Sequence, residues 1–145
     1  MTTFNHVGLV VTDLARAKHF YAEALGFTFW HEITPPDDLT AKLNGLEPPL
    51  GTTASYFVLN GLVLELLHYR ERSAAFRRRT MDESGLTHLS VAVDDIHEAA
   101  ARMVQCGGSI VDETDIGVAL FVRDPDGQLI ELLPLRFRDG LPPMP

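Results

Sequence analysis

Two stretches of the chain share one pattern of apolar and polar positions. Residues 5–14 read NHVGLVVTDL, and residues 87–96 read THLSVAVDDI. In both, a histidine precedes a run in which large apolar residues recur at every second position, the period that predicts a half-buried β-strand. An aspartate then precedes residues with apolar positions at helical spacing. Each stretch therefore predicts a strand that leads into a capped helix.

These two stretches are the beginnings of an internal repeat. The alignment that lays His6 on His88 also lays Asp13 on Asp95. Either aspartate is suited to cap the helix that follows, because a short side-chain acceptor satisfies the free N–H groups at a helix start. The chain thus predicts two copies of one structural unit, each too small to bury its apolar sheet face alone.

The later parts of the two copies match at a different and shorter shift, which lays Glu65 on Glu131. The segments ASYFVLNGLVLELLHY (54–69) and VALFVRDPDGQLIELLPL (118–135) each predict strand, turn, strand, since Asn-Gly and Asp-Gly between apolar runs indicate hairpin turns. Because the second alignment needs a shorter shift than the first, the first copy must contain extra residues between its histidine and its glutamate. Its extra residues fall in the Pro- and Gly-rich stretch 34–52, predicted to be a loop with one short helical turn over 38–45.

The pattern as a whole predicts an α+β fold of two βαβββ modules. We expect one domain over residues 1–145, with module one at 4–69, a polar linker at 70–86, module two at 87–135 and a C-terminal tail at 136–145. Two modules that bury a shared apolar face make a stable pair where one alone would not.

Composition narrows the classes of partner. The formal charge of −8 argues against a nucleic-acid binder, which needs basic surface. The basic run at 77–79 is predicted to be a solvated face, with contact to an anionic substrate tail or partner as the alternative. No apolar stretch is long enough to cross a bilayer, and the N-terminus lacks a signal-peptide profile, so we expect a cytoplasmic protein without a membrane partner. The single Cys106 excludes an intramolecular disulfide.

Four residues related by the repeat suggest a metal site. Strand alternation places His6 and His88 on faces lined by small residues, away from the predicted helices. Glu65 and Glu131 interrupt apolar runs, where a carboxylate is costly unless it is paired or bound to a cation. Imidazole nitrogen with carboxylate oxygen suits Zn²⁺, Ni²⁺, Co²⁺, Mn²⁺ or Fe²⁺. The alternatives are structural histidines in strands and glutamates on the solvent side of an edge strand.

The residues that carry this pattern resemble the vicinal oxygen chelate superfamily, which includes glyoxalase I, methylmalonyl-CoA epimerase, extradiol dioxygenases and the bleomycin- and fosfomycin-resistance proteins. The resemblance covers about residues 4–135, through HVGLVVTDLARAKHFYAEALGF, LELLHY, THLSVAVDDIHEAAARMVQCGG and DPDGQLIEL. It implies a curved mixed sheet around a central metal cavity, and a homodimer. Its ligand positions, in the first and last strand of each module, correspond to the following residues: His6, Glu65, His88 and Glu131.

Within that superfamily, a site with a ligand at the position of Glu65 resembles the sites of glyoxalase I and the epimerase more than those of the extradiol dioxygenases. The implied function is a metal-dependent lyase or isomerase that acts on a small carbonyl-containing substrate by proton transfer through a metal-stabilised enediolate. Glu131 and Glu65 are both candidates for the catalytic base; the alternative is that both only bind the metal and another residue or a bound water acts as the base. The alternatives are a binding protein that sequesters a small molecule, as in antibiotic resistance, and an Fe(II) dioxygenase of the extradiol type.

Overall fold

The computed structural model describes residues 1–73 and 80–142. The described residues fall into two compact units, 1–73 and 80–142, since the chain divides between positions 76 and 77. The basic run at 77–79 and the last three residues of the predicted tail lie outside the described residues. Within the described residues, no helix has the length and apolarity needed to cross a membrane.

The first unit is a four-stranded mixed sheet with a helix on one face. Along the chain it runs β1 (Val7–Val10), α1 (Leu14–His19, continued by a π-helical turn, Phe20–Ala24), β2 (Thr28–Ile33), α2 (Asp37–Asn44), β3 (Thr52–Leu59) and β4 (Leu62–Tyr69). Its strand order is β1-β4-β3-β2, with β1 parallel to β4 and the other neighbours antiparallel.

The second unit repeats this topology. Its elements are β5 (His88–Val93), α3 (Ile96–Gln105), β6 (Ser109–Val111), a 3₁₀ turn (Asp112–Thr114), β7 (Leu120–Arg123), β8 (Leu129–Pro134) and α4 (Leu135–Asp139). The strand order is β5-β8-β7-β6, with β5 parallel to β8. The predicted α+β fold of two βαβββ modules is confirmed, and each module forms an open sheet of its own.

The helices begin where the aspartates predict. The Asp13 carboxylate accepts from the Arg16 N–H at 2.9 Å, and Asp95 accepts from the N–H groups of His97 and Glu98, both at 2.9 Å. These bonds hold the pKa of Asp95 below its usual value, because the backbone N–H of Glu98, and then that of His97, favour the charged form.

Each sheet buries one face against its helix and leaves the other face for the histidine and glutamate side chains. In the first unit Phe20 and Tyr21 of the helical segment are fully buried, as are Leu64 and Leu66 of β4. In the second unit Met103 of α3 and the residues Val122, Ile130 and Leu132 of the sheet are fully buried. The odd–even alternation of the strands therefore separates core from site in both copies.

Three local details differ from the sequence prediction. Residues 37–44 form the complete helix α2 rather than a short turn, because the Asp37 carboxylate accepts from the N–H groups of Leu50 and Gly51 and so ties the helix start to the chain before β3. The stretch 135–139 of the tail is helical. The hairpin turn at Asp126-Gly127 is longer than the two-residue turn at Asn60-Gly61.

Candidate metal-binding and catalytic site

The first candidate pair comes from the two neighbouring strands β1 and β4. Parallel pairing sets Gly8 opposite Glu65, and His6 immediately precedes β1. The Nε2 atom of His6 lies 3.2 Å from Oε2 of Glu65, whose residue is only 9% exposed. The absence of a side chain at Gly8 leaves room for the carboxylate, since a Cβ there would lie 3.2 Å from Oε2.

The other ring nitrogen of His6 contacts the side chain just before it. Nδ1 lies 2.5 Å from the amide oxygen of Asn5, which can only accept a hydrogen bond. The proton of a neutral imidazole therefore sits on Nδ1, and the Nε2 lone pair faces the carboxylate of Glu65. Two electron-rich atoms at this distance need a positive charge beside them, either a proton or a metal cation.

Tyr56 completes the first pair. It lies opposite Glu65 in the antiparallel pairing of β3 with β4, and its hydroxyl donates to Oε1 of Glu65 at 2.6 Å. Burial, followed by the hydrogen bond and charge of Glu65, raises the pKa of Tyr56 to about 12. The phenol therefore remains protonated at neutral pH and acts as a hydrogen-bond donor. Its ring stacks on His31 at 4.4 Å between centroids and meets the edge of His6.

The second unit contains the equivalent pair on β5 and β8. The Nε2 atom of His88 lies 3.6 Å from Oε2 of Glu131. The Ser90 hydroxyl donates to the same Oε2 at 2.6 Å, because parallel pairing sets Ser90 opposite Glu131. Nδ1 of His88 lies 2.9 Å from the hydroxyl of Thr87, as Nδ1 of His6 lies beside Asn5. Both histidines thus have Nδ1 occupied by the preceding residue and Nε2 directed at a glutamate.

The remaining histidines do not share this arrangement. His19 ends α1, and His97 of α3 lies 3.7 Å from the carboxylate of Asp115. His68 faces the opposite side of β4 from Glu65, as strand alternation predicts. His31 lies on the same face of the sheet as the first candidate pair, because its ring stacks on Tyr56.

Each His–Glu pair fits a divalent cation by its chemistry. Imidazole nitrogen and carboxylate oxygen are ligands of divalent transition metals, and a hydrogen bond on Nδ1 is the usual way to orient a ligating Nε2. Within residues 1–73 and 80–142, no group of three or more His, Cys, Asp or Glu side chains is gathered so that it could hold a metal ion.

Sequence reasoning missed the two hydroxyl groups that contact the glutamates. They belong to Tyr56 and Ser90, neither of which the repeat pattern singles out as a site residue. For Tyr56 a signal was available, because a two-residue Asn-Gly turn fixes which residues of the hairpin face each other. No such signal exists for Ser90, whose strand pairs with β8 in parallel and has no connecting turn.

The topology and the pairs together define a class of protein: two βαβββ modules, each with a histidine at its first strand and a glutamate in its last. Residues 3–132 match the family model described as the Glyoxalase/Bleomycin resistance protein/Dioxygenase superfamily. The chain belongs to this superfamily.

Several known proteins are similar over most of the chain. The uncharacterised protein YaeR of Escherichia coli is 30% identical over 132 residues, covering 88% of this chain and 92% of its own length. A lactoylglutathione lyase of Pseudomonas putida is 26% identical over 147 residues, covering 90% and 83%. The structure of the trypanothione-dependent glyoxalase I of Leishmania major superposes with a TM-score of 0.69 at 26% identity, covering 92% and 87%.

Proposed function

We propose that this protein is a metal-dependent lyase or isomerase that moves a proton on a carbon next to a carbonyl group of a small substrate. The observation that carries the proposal is the repeated contact between a histidine Nε2 and a glutamate Oε2, at 3.2 Å in one unit and 3.6 Å in the other. The similarity to a lactoylglutathione lyase agrees with this reaction class.

The residues proposed to hold the metal are the two pairs: His6, Glu65, His88 and Glu131. With two neutral imidazoles and two carboxylates, the set suits Zn²⁺, Ni²⁺, Co²⁺, Mn²⁺ or Fe²⁺. A bound divalent cation would polarise two adjacent substrate oxygens and stabilise the negative charge that develops as the proton leaves.

Glu131 is the better candidate for the base. Oε1 of Glu65 accepts from Tyr56 and Oε2 faces His6, so both oxygens are engaged. In Glu131 the contacts with Ser90 and His88 both fall on Oε2, and Oε1 has no hydrogen-bond partner among the described residues. Oε1 of Glu131 is therefore the oxygen free to take the substrate proton and return it to a neighbouring atom.

Proton exchange in heavy water tests this role directly. The substrates are the hemithioacetal of methylglyoxal with glutathione and a panel of small 2-hydroxy and 2-oxo acids. The exchange rate is measured by NMR as the loss of the substrate C–H signal. Glu131→Gln should slow exchange by about 10²–10⁴-fold, the usual contribution of a general base. Metal content should stay near that of the wild type, since the amide oxygen of glutamine still coordinates.

Glu98→Gln is the matched control, because Glu98 is an exposed glutamate on α3 of the same unit. It should exchange at the wild-type rate. Exchange by Glu131→Gln at near the wild-type rate would remove Glu131 from the role of base. Tight binding of a small molecule without exchange in any variant would indicate a sequestering protein, and oxygen consumption with catechols would indicate a dioxygenase.

A further inference from the structure

A cavity of about 310 Å³ lies entirely within the second unit, next to the His88–Glu131 pair. Four apolar side chains contribute to its wall: Met81, Val111, Phe121 and Leu129. Phe121 connects the cavity to the pair, because it lies opposite Glu131 in the β7–β8 pairing and its ring meets the edge of His88 at 5.3 Å between centroids.

The polar groups of the cavity wall differ in the hydrogen-bond donors that they still have available for a ligand. The Thr114 hydroxyl donates to the Val111 carbonyl and accepts from the Phe121 N–H, so it has no donor left for an anion. The Thr80 hydroxyl donates to the exposed carboxylate of Asp82. Arg123 is the cationic residue of the wall, and it is half-buried.

Arg123 has binding capacity to spare. Its Nη1 donates to the Gly127 carbonyl at 3.0 Å, and its guanidinium takes part in none of the ion pairs found among the described residues. A guanidinium carries five N–H donors in a planar fork that matches a carboxylate. A half-buried charge beside apolar side chains is costly to leave without a counter-ion.

The strand register sets where an anion on Arg123 would lie. Arg123 lies opposite Leu129, and Phe121 lies opposite Glu131. Arg123 and Phe121 are two residues apart on β7 and so share a face, which places Arg123 two residues along the sheet from Glu131. Two residues of a strand span roughly 6.6 Å. A molecule with a carboxylate on Arg123 and a short aliphatic chain along Phe121 and Leu129 would therefore reach Glu131.

We propose that this cavity binds the carboxylate end of a short aliphatic acid, with the Arg123 guanidinium as the carboxylate partner and the apolar wall around the chain. The proposed binding is argued from the cavity and Arg123 and does not depend on any catalytic step. The assignment of a short-chain carboxylic acid as the substrate class rests on the proposed function, which places the reacting carbon at Glu131.

The test uses metal-free protein and hexanoate as the probe, so that binding is measured without any catalytic step. The ε-methyl signal of Met81 in methyl-labelled methionine, assigned with a Met81→Leu variant, reports occupancy of the cavity by NMR. Hexanoate should shift this signal in a saturable way. In Arg123→Gln the Kd should rise at least about tenfold, the loss expected for one charge-assisted bidentate contact.

Two controls make the result specific. Arg136→Gln removes the same charge from an exposed position on α4, outside the cavity wall, and should bind hexanoate as the wild type does. The neutral analogue 1-hexanol should bind at least about tenfold more weakly than hexanoate. Absence of a Met81 shift, equal binding by Arg123→Gln, or equal binding of 1-hexanol would each overturn the proposal. If hexanoate binds as expected but the metal-loaded protein exchanges no proton in any of the substrates of the heavy-water experiment, only the proposed function is contradicted.

Discussion

At the scale of single residues, each glutamate of the candidate site receives a hydroxyl hydrogen bond, but from a different strand. Tyr56 of β3 supports Glu65, and Ser90 of β5 supports Glu131. The position in module one that is equivalent to Ser90 is Gly8, where any Cβ would crowd Oε2 of Glu65. The two modules therefore meet the same need, an oriented carboxylate, with donors from opposite sides of the glutamate strand.

This arrangement predicts that Tyr56→Phe weakens metal binding. Loss of the hydroxyl frees Glu65 to rotate, and removal of such an orienting partner typically costs about 10–100-fold in metal affinity. Ser90→Ala should act in the same direction through Glu131. Competition with a chromophoric chelator measures both. Tyr69→Phe is the control, because the Tyr69 hydroxyl accepts from Asn44, outside the candidate pair. Wild-type affinity in Tyr56→Phe would show that Glu65 needs no support from that hydroxyl.

At the scale of elements, a polar cluster connects the first helix to the sheet. Lys18 of α1 and the fully buried Ser55 of β3 both bond to the carboxylate of Glu32 on β2. This cluster lies on the opposite side of β3 from Tyr56, because successive side chains alternate along a strand. It therefore connects the helix to the sheet without contacting the candidate site.

The cluster predicts a pH dependence of stability. The hydrogen bond from Lys18, then that from Ser55, lowers the pKa of Glu32 in the folded protein, and burial opposes them more weakly. A lowered pKa stabilises the fold above the unfolded value, and the contribution is lost as the pH falls below about 4.5. Glu32→Gln should therefore reduce the free energy of unfolding at pH 7 by less than about 1 kcal/mol, since the pair is partly solvent-screened.

Urea denaturation at pH 7 and at pH 3 measures the effect. The difference between wild type and Glu32→Gln should shrink at the lower pH, because protonation removes the charge that the substitution removes. Glu23→Gln, which changes a glutamate of the π-helical turn, should leave the pH dependence as in the wild type. A difference that stays constant with pH would mean that the charge of Glu32 contributes nothing.

At the scale of the whole molecule, the central prediction concerns metal stoichiometry. If both pairs contribute to one divalent-metal site, His6→Ala and His88→Ala should each lose most of the bound metal, and the double variant should lose no more. Elemental analysis of protein purified without chelator or affinity metal checks this, with about one equivalent per chain expected for the wild type. His97→Ala is the control, because His97 contacts Asp115 and neither pair.

Loss of only half the metal in each single variant would mean that the two units bind metal independently. No transition metal in the wild-type protein, even after loading and removal of excess, would contradict the proposed metal-dependent chemistry. The predicted homodimer is tested separately, by measuring the molar mass in solution for the wild type and for the metal-free protein.

Much of the fold could be predicted because it repeats. The same apolar alternation, aspartate cap and Gly-containing turn occur twice, and two agreeing copies exclude interpretations that a single copy would allow. The candidate residues followed from the same symmetry, since a histidine and a glutamate at equivalent positions are unexpected by chance. Helix α2 was underestimated because Asp37 is anchored by N–H groups at residues 50 and 51, well outside the helix itself.

The two hairpins are similar in sequence but differ in the pairing register of their strands. At Asn60-Gly61 a two-residue turn pairs Leu59 with Leu62, which brings Tyr56 opposite Glu65. In the second hairpin the Asp124 N–H donates to the Gln128 carbonyl, so the turn is longer than in the first. The longer turn shifts the register, and Phe121 rather than Val122 faces Glu131. The alignment that matches the two glutamates therefore predicts the wrong neighbour on the facing strand.

The sequence by itself determined the two modules, the strands that face their helices, and the candidate histidine and glutamate of each module. These depend on local periodicity and on short-range turn and cap preferences, which the chain carries at neighbouring positions. Only the tertiary structure decided which hydroxyl supports each glutamate, which glutamate oxygen is free, and that Arg123 lies in an apolar cavity beside the second pair. Those features arise from contacts between strands far apart in sequence, where a change of one residue in a turn exchanges the two faces of a strand.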